Sequence, residues 1–112
     1  MISIGEDEKN QQEKMIVLLV LGVLFALKKQ KISDDEAQRL VFSPNLYFVM
    51  QRAKFCNQLV DIIKSGCELE DMKILSLNYE QALDDLITQY FDLIGNMSEV
   101  NPYLKRWYQD FI

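Results

Sequence analysis

Thirteen consecutive residues without a polar side chain, Met15 to Leu27 (MIVLLVLGVLFAL), constrain this chain more than any other feature. A helix needs about 20 mostly apolar residues to cross a bilayer, and runs of roughly 10 to 14 are more often buried core helices or signal-peptide cores. A signal would need a basic start and a small-residue cleavage site. Here the run follows the acidic GEDEKNQQEK and leads into FALKKQKISDDE, which offers no such site. The reading is therefore a soluble core helix, apolar on every side and surrounded by the rest of the fold. A membrane-associated protein that inserts residues 15–27 is the competing reading.

The helix is expected to run from about Glu8 to Lys29, with acids at its start and Lys28 and Lys29 at its end, an order that complements the helix dipole. Gly22 inside it costs about 1 kcal/mol relative to alanine, which a close crossing by another helix would offset. SDDE at Ser33–Glu36 reads as a capping box. Ser43–Pro44 reads as a cap followed by proline at the first helical position. A break is expected within residues 52–56. LVDIIKSG ends a further helix, with Gly66 in the left-handed conformation beyond it. The clearest periodicity puts Tyr79, Ala82, Leu83, Leu86, Ile87, Tyr90, Phe91 and Ile94 on one side of a helix. Asn78 is its expected cap and Gly95 its stop. NPYLKRWYQDFI repeats the cap-plus-proline start at Asn101–Pro102 and lines up Tyr103, Trp107, Tyr108 and Phe111, read as core closure. No useful segment alternates with period two. The expectation is an all-α, single-domain bundle (residues 1–112) of five to six helices around a central apolar N-terminal helix.

With 112 residues, 49% apolar and 26% charged, the chain can bury a core without staples. It has no histidine, which removes Ser-His and Cys-His nucleophile pairs and the commonest transition-metal ligand. Cys56 and Cys67 match no zinc spacing and read as buried thiols in a reducing compartment, with a single disulfide between them as the alternative, so a cytoplasmic location is expected. ELED (Glu68–Asp71) lacks the spaced oxygens and glycine of a calcium loop. Asp84 and Asp85 are adjacent on a helix and point about 100° apart, with nothing to give them distinct acid and base roles. No metal, cofactor or enzymatic activity is expected.

The net charge of −5 is unevenly distributed. Residues 1–64 carry eight acids and nine bases, whereas residues 65–104 carry eight acids against Lys73 alone. Like charges three or four apart on a helix are mildly destabilising, so this pattern is not explained by helix stability. Besides a solvated face, it fits a docking surface for a basic protein, formed by Glu68, Glu70, Asp71, Glu80, Asp84, Asp85 and Asp92. Nucleic acid and anionic lipid would be repelled by it.

FSP (Phe42–Pro44) followed by LVDIIKSGCELEDMKIL (Leu59–Leu75) resembles a family of small bacterial proteins of uncharacterised function. That family's pattern is an F-S-P turn, a helix ending in I-I-x-x-G, then x-E-L-E-D and an amphipathic helix. The match covers roughly residues 33–95, and Glu68, Leu69, Glu70 and Asp71 carry its most distinctive piece. In size, charge and helical class the chain is similar to immunity proteins of bacterial toxin–immunity pairs, which bind a cognate toxin and occlude it. The resulting expectation is a non-enzymatic inhibitor of a basic toxin, with a nuclease as one such toxin. The alternative is a structural or regulatory helical module that self-associates as a homodimer through apolar or aromatic faces, with Trp107 and Tyr108 as natural anchors.

Overall fold

A computed structural model describes residues 5–74 and 78–111, apart from the side chains of Glu70, Lys73, Ile74, Asp110 and Phe111. All regular structure among these residues is helical: α1 (Glu6–Lys28), α2 (Asp34–Leu40), α3 (Pro44–Arg52), α4 (Asn57–Cys67), α5 (Leu69–Ile74), α6 (Tyr79–Asn96) and a terminal 3-10 turn (Trp107–Phe111). The all-α class is as expected. Four helices have nine residues or more, fewer than the five to six anticipated, and α2 and α5 are connectors of seven and six residues.

Local chemistry explains most boundaries. Glu6, Asp7 and Glu8 occupy the first turn of α1 and Lys28 its last. The Ser33 hydroxyl accepts from the Glu36 amide at 3.1 Å, and Ser43 accepts from Leu46 at 3.2 Å with Pro44 behind it. Each bond satisfies an amide that the first helical turn leaves without a partner. Asn78 stands at the start of α6, but its side chain makes no capping bond.

The helix ends depart from expectation. Neither Gly66 nor Gly95 stops a helix: each lies inside one, and no glycine has a positive φ. Among the described residues the left-handed positions are Gln30 (φ 58°) and Lys54 (φ 60°). After α1, Gln30 N donates to Leu27 O and Lys31 N to Ala26 O; after α3, Lys54 N donates to Gln51 O and Phe55 N to Met50 O. Both pairs of bonds form a Schellman ending. Gly66 has a different purpose, because an added Cβ would overlap the fully buried ring of Phe42.

The largest correction concerns α1. It is not surrounded: it packs chiefly on α6 and also on α2, while α6 additionally meets α4 and α5. α6 is therefore the hub. The face formed by Val17, Val20, Leu21, Leu24 and Leu27 is buried, but Leu18 (50% exposed), Leu19 (60%) and Phe25 (40%) face outward. Gly22 lies on that outer face, and a methyl group added to it would have no neighbour within 4 Å, so none of the described helices crosses there. By length and composition α1 could cross a membrane, with one third of its most apolar stretch buried.

The last expected helix is also absent. Residues 102–104 form a turn in which Asn101 Oδ1 accepts from Tyr103 N at 2.9 Å. This segment is tied to the start of α1 by Asn101 to Asp7 (2.9 Å) and, through Ser98 O, by Asn10 and Lys14. Tyr103, Trp107 and Tyr108 are exposed, so they do not close the core; Trp107 and Tyr108 pack edge to face at 5.8 Å.

Candidate functional site

Helix α6 carries most of the acidic candidates because its buried side is defined by Leu83, Leu86, Ile87, Tyr90 and Leu93. At about 100° per residue, Asp85 and Asp92 then fall near the middle of the outward arc, within about 20° of each other. Glu80 and Asp84 fall on the flank that faces α1. Asp84 is drawn into an ion pair with Lys28 of α1, so its charge is locally balanced. Asp85 accepts from its helix neighbour Gln81 at 2.8 Å, a bond that leaves the negative charge in place.

Glu68 and Asp71 lie at the corner between α4 and α5, both exposed, with Leu69 between them buried in the core. One apolar anchor between outward acids is what pins this corner with its charges in water. The Glu70 side chain lies outside the described residues. Among the described residues, Glu68, Asp71, Glu80, Asp85 and Asp92 make no ion pair. The seven candidates thus do not form one compact patch: two lie on the outer arc of α6, two on its α1 side, and the rest at the α4–α5 corner.

Two acids escaped the sequence reading of the site. Asp61 of α4 and Gln89 of α6 line a shared groove with Gln58, Ile62 and Ser65, and Gln89 stands about one helical turn from both Asp85 and Asp92. Asp34, from the capping segment, accepts from the Tyr79 hydroxyl at 2.6 Å and shares a cleft with Lys28, Glu80 and Leu27. These acids lie in the part of the chain whose charges balance, so a count along the sequence hides them. Burial and the hydrogen bond to Asp34 push the Tyr79 hydroxyl far above its ordinary range, so it stays a donor.

Both cysteines are free thiols, Cys56 exposed and Cys67 half-buried. Burial first, and the charge of Glu68 second, raise the Cys67 thiol above its ordinary range, which disfavours the nucleophilic thiolate. Among the described residues no three Cys, Asp or Glu side chains converge as metal ligands.

The model of a protein family of unknown function, DUF3969, matches residues 7–109. The match takes in the apolar helix and the aromatic tail as well as the F-S-P and E-L-E-D motifs. Comparison with curated proteins and with solved structures gave no match.

Proposed function

The chain belongs to the DUF3969 family of unknown function, and for it we propose a non-enzymatic role: binding and neutralising a basic protein partner, in the manner of a cytoplasmic toxin-immunity protein. The observation that carries this reading is the outward arc of α6. Asp85 and Asp92 project from it without an ion pair among the described residues, while the only candidate acid that meets a described base, Asp84, does so on the α1 side. Asp61 of the neighbouring helix lines the groove that Gln89 borders, and Glu68 and Asp71 add two exposed acids at the separate α4–α5 corner. A surface of this kind accelerates encounter with a cationic protein and disfavours anionic competitors. A toxin that attacks nucleic acid has a basic substrate surface, and an acidic inhibitor covers it by complementarity.

The test is capture of partners from native lysate on the immobilised chain, eluted with a salt gradient. A single basic protein released stoichiometrically by salt is the expected result. The Asp85→Lys, Asp92→Lys double variant should then bind it about tenfold or more weakly at low salt, with the difference shrinking as salt rises. Unchanged affinity in the folded double variant would remove the acidic arc from the mechanism.

A further inference from the structure

The outer face of α1 has the composition of an interface. A helix side in water is normally polar, yet Leu18, Leu19 and Phe25 are two-fifths or more exposed, and Phe91 of α6 (49%) extends the patch by packing edge to face on Phe25 at 5.7 Å. Met15, Leu18, Gly22 and Phe25 follow one another at intervals of three, four and three residues, the spacing of a coiled-coil seam. Gly22 interrupts this seam with open space.

We propose that this face binds a second copy of the chain, with the two α1 helices antiparallel about a two-fold axis near residue 20. Three observations select this occupant. A two-fold interface requires a surface complementary to itself, and the seam has both a gap and a projection to fill it: the antiparallel register places Leu18 over Gly22 of the other copy and Phe25 against Met15. The missing side chain at Gly22 lets the two backbones approach, a use for this glycine that the single chain does not provide. The start of α1 is net negative (Glu6, Asp7, Glu8 and Glu13 against Lys9 and Lys14), and Lys28, with Lys29 and Lys31 just beyond the helix end, is positive, so antiparallel copies bring ends of opposite sign together, whereas parallel copies bring like ends together. The acidic arc of α6 stays outside this interface, so the dimer is independent of the partner-binding reading.

The test uses the full chain alone, with mass measured by light scattering over a wide concentration range at high salt, where the acidic arc is screened. A dimer is expected. Gly22→Lys and Leu18→Lys should each raise its dissociation constant about tenfold or more, with helicity and a cooperative melt preserved, because both positions lie on the exposed face of α1. Orientation is read by oxidising an equimolar mixture of Met15→Cys and Phe25→Cys chains, both carrying Cys56→Ser. Antiparallel pairing gives mainly the mixed disulfide, and a predominance of like pairs would overturn the register. A monomer at every concentration, or a dimer indifferent to both lysines, would overturn the proposal. So would a monomer that binds phosphatidylcholine vesicles and loses that binding in the lysine variants, since the face would then belong to a bilayer.

Discussion

Gly22 and Gly66 are both helical glycines, and their surroundings predict opposite responses to the same substitution. Helix propensity alone favours alanine by about 1 kcal/mol at either site. At Gly22 nothing opposes that gain, since the space beside it is empty. Gly22→Ala should therefore raise the stability of the monomer by about 0.5–1 kcal/mol. At Gly66 the new methyl meets the ring of Phe42, which is fully buried and has nowhere to move. Gly66→Ala should lower stability by about 1–3 kcal/mol despite its better propensity. Denaturant melts of the two variants, taken under monomeric conditions, decide the matter; a gain at both sites would mean that propensity outweighs packing at Gly66, and a loss at both would contradict the open space beside Gly22. The I-I-x-x-G motif thus contains a packing glycine, which the sequence presents in the form of a helix stop.

At the scale of the element, signals that act within three or four residues were legible in the chain. Ser33, Ser43 and Pro44 open helices where expected, and the break at 52–56 falls between α3 and α4. The period of α6 was also readable, except that Phe91 points outward to Phe25 and Leu93, left out of the pattern, is buried. Helix ends were less legible because the usual signal, glycine, was absent from the residues that adopt it. Gln30 and Lys54 hold left-handed φ values, a conformation that disfavours a Cβ by about 1–2 kcal/mol. Gln30→Gly should accordingly stabilise the end of α1 by up to about 1 kcal/mol, visible as a higher thermal midpoint. A lower midpoint would show that the glutamine side chain contributes more than its backbone strain removes. The final segment failed as a helix for a related reason. Asn101 and Pro102 open a turn closed by Tyr103 N and Leu104 N on Asn101, the Asn101 side chain donates to Asp7 of α1, and helical structure returns only in the 3-10 turn at Trp107–Phe111.

For the whole molecule, the two tyrosines of α6 link stability to pH. Burial raises the Tyr90 hydroxyl far above its ordinary value, and burial with the Asp34 bond does the same for Tyr79. In both cases the folded state holds its proton more tightly than the unfolded state, whose tyrosines titrate near pH 10. Stability from this source is complete below about pH 10 and declines as pH rises beyond it. Tyr90 carries a second consequence, because its hydroxyl is buried without a hydrogen-bond partner among the described residues. Tyr90→Phe should stabilise the fold by about 1 kcal/mol at neutral pH and flatten the alkaline decline. A lower midpoint at neutral pH would place a partner on that hydroxyl, since its removal would leave that partner unsatisfied.

The sequence by itself determined the helical class, most of the starts, and the imbalance of charge along the chain, because each depends on contacts a few residues apart. Tertiary structure alone decided which side of α1 is buried. A helix that is apolar on every side contains no periodic signal to orient it, so the choice falls to the shape of its neighbour α6. The same packing decided that Asp84 meets Lys28 while Asp85, one residue later, faces water. Adjacent side chains on a helix diverge by about 100°, and only the position of the opposing helix assigns them different roles.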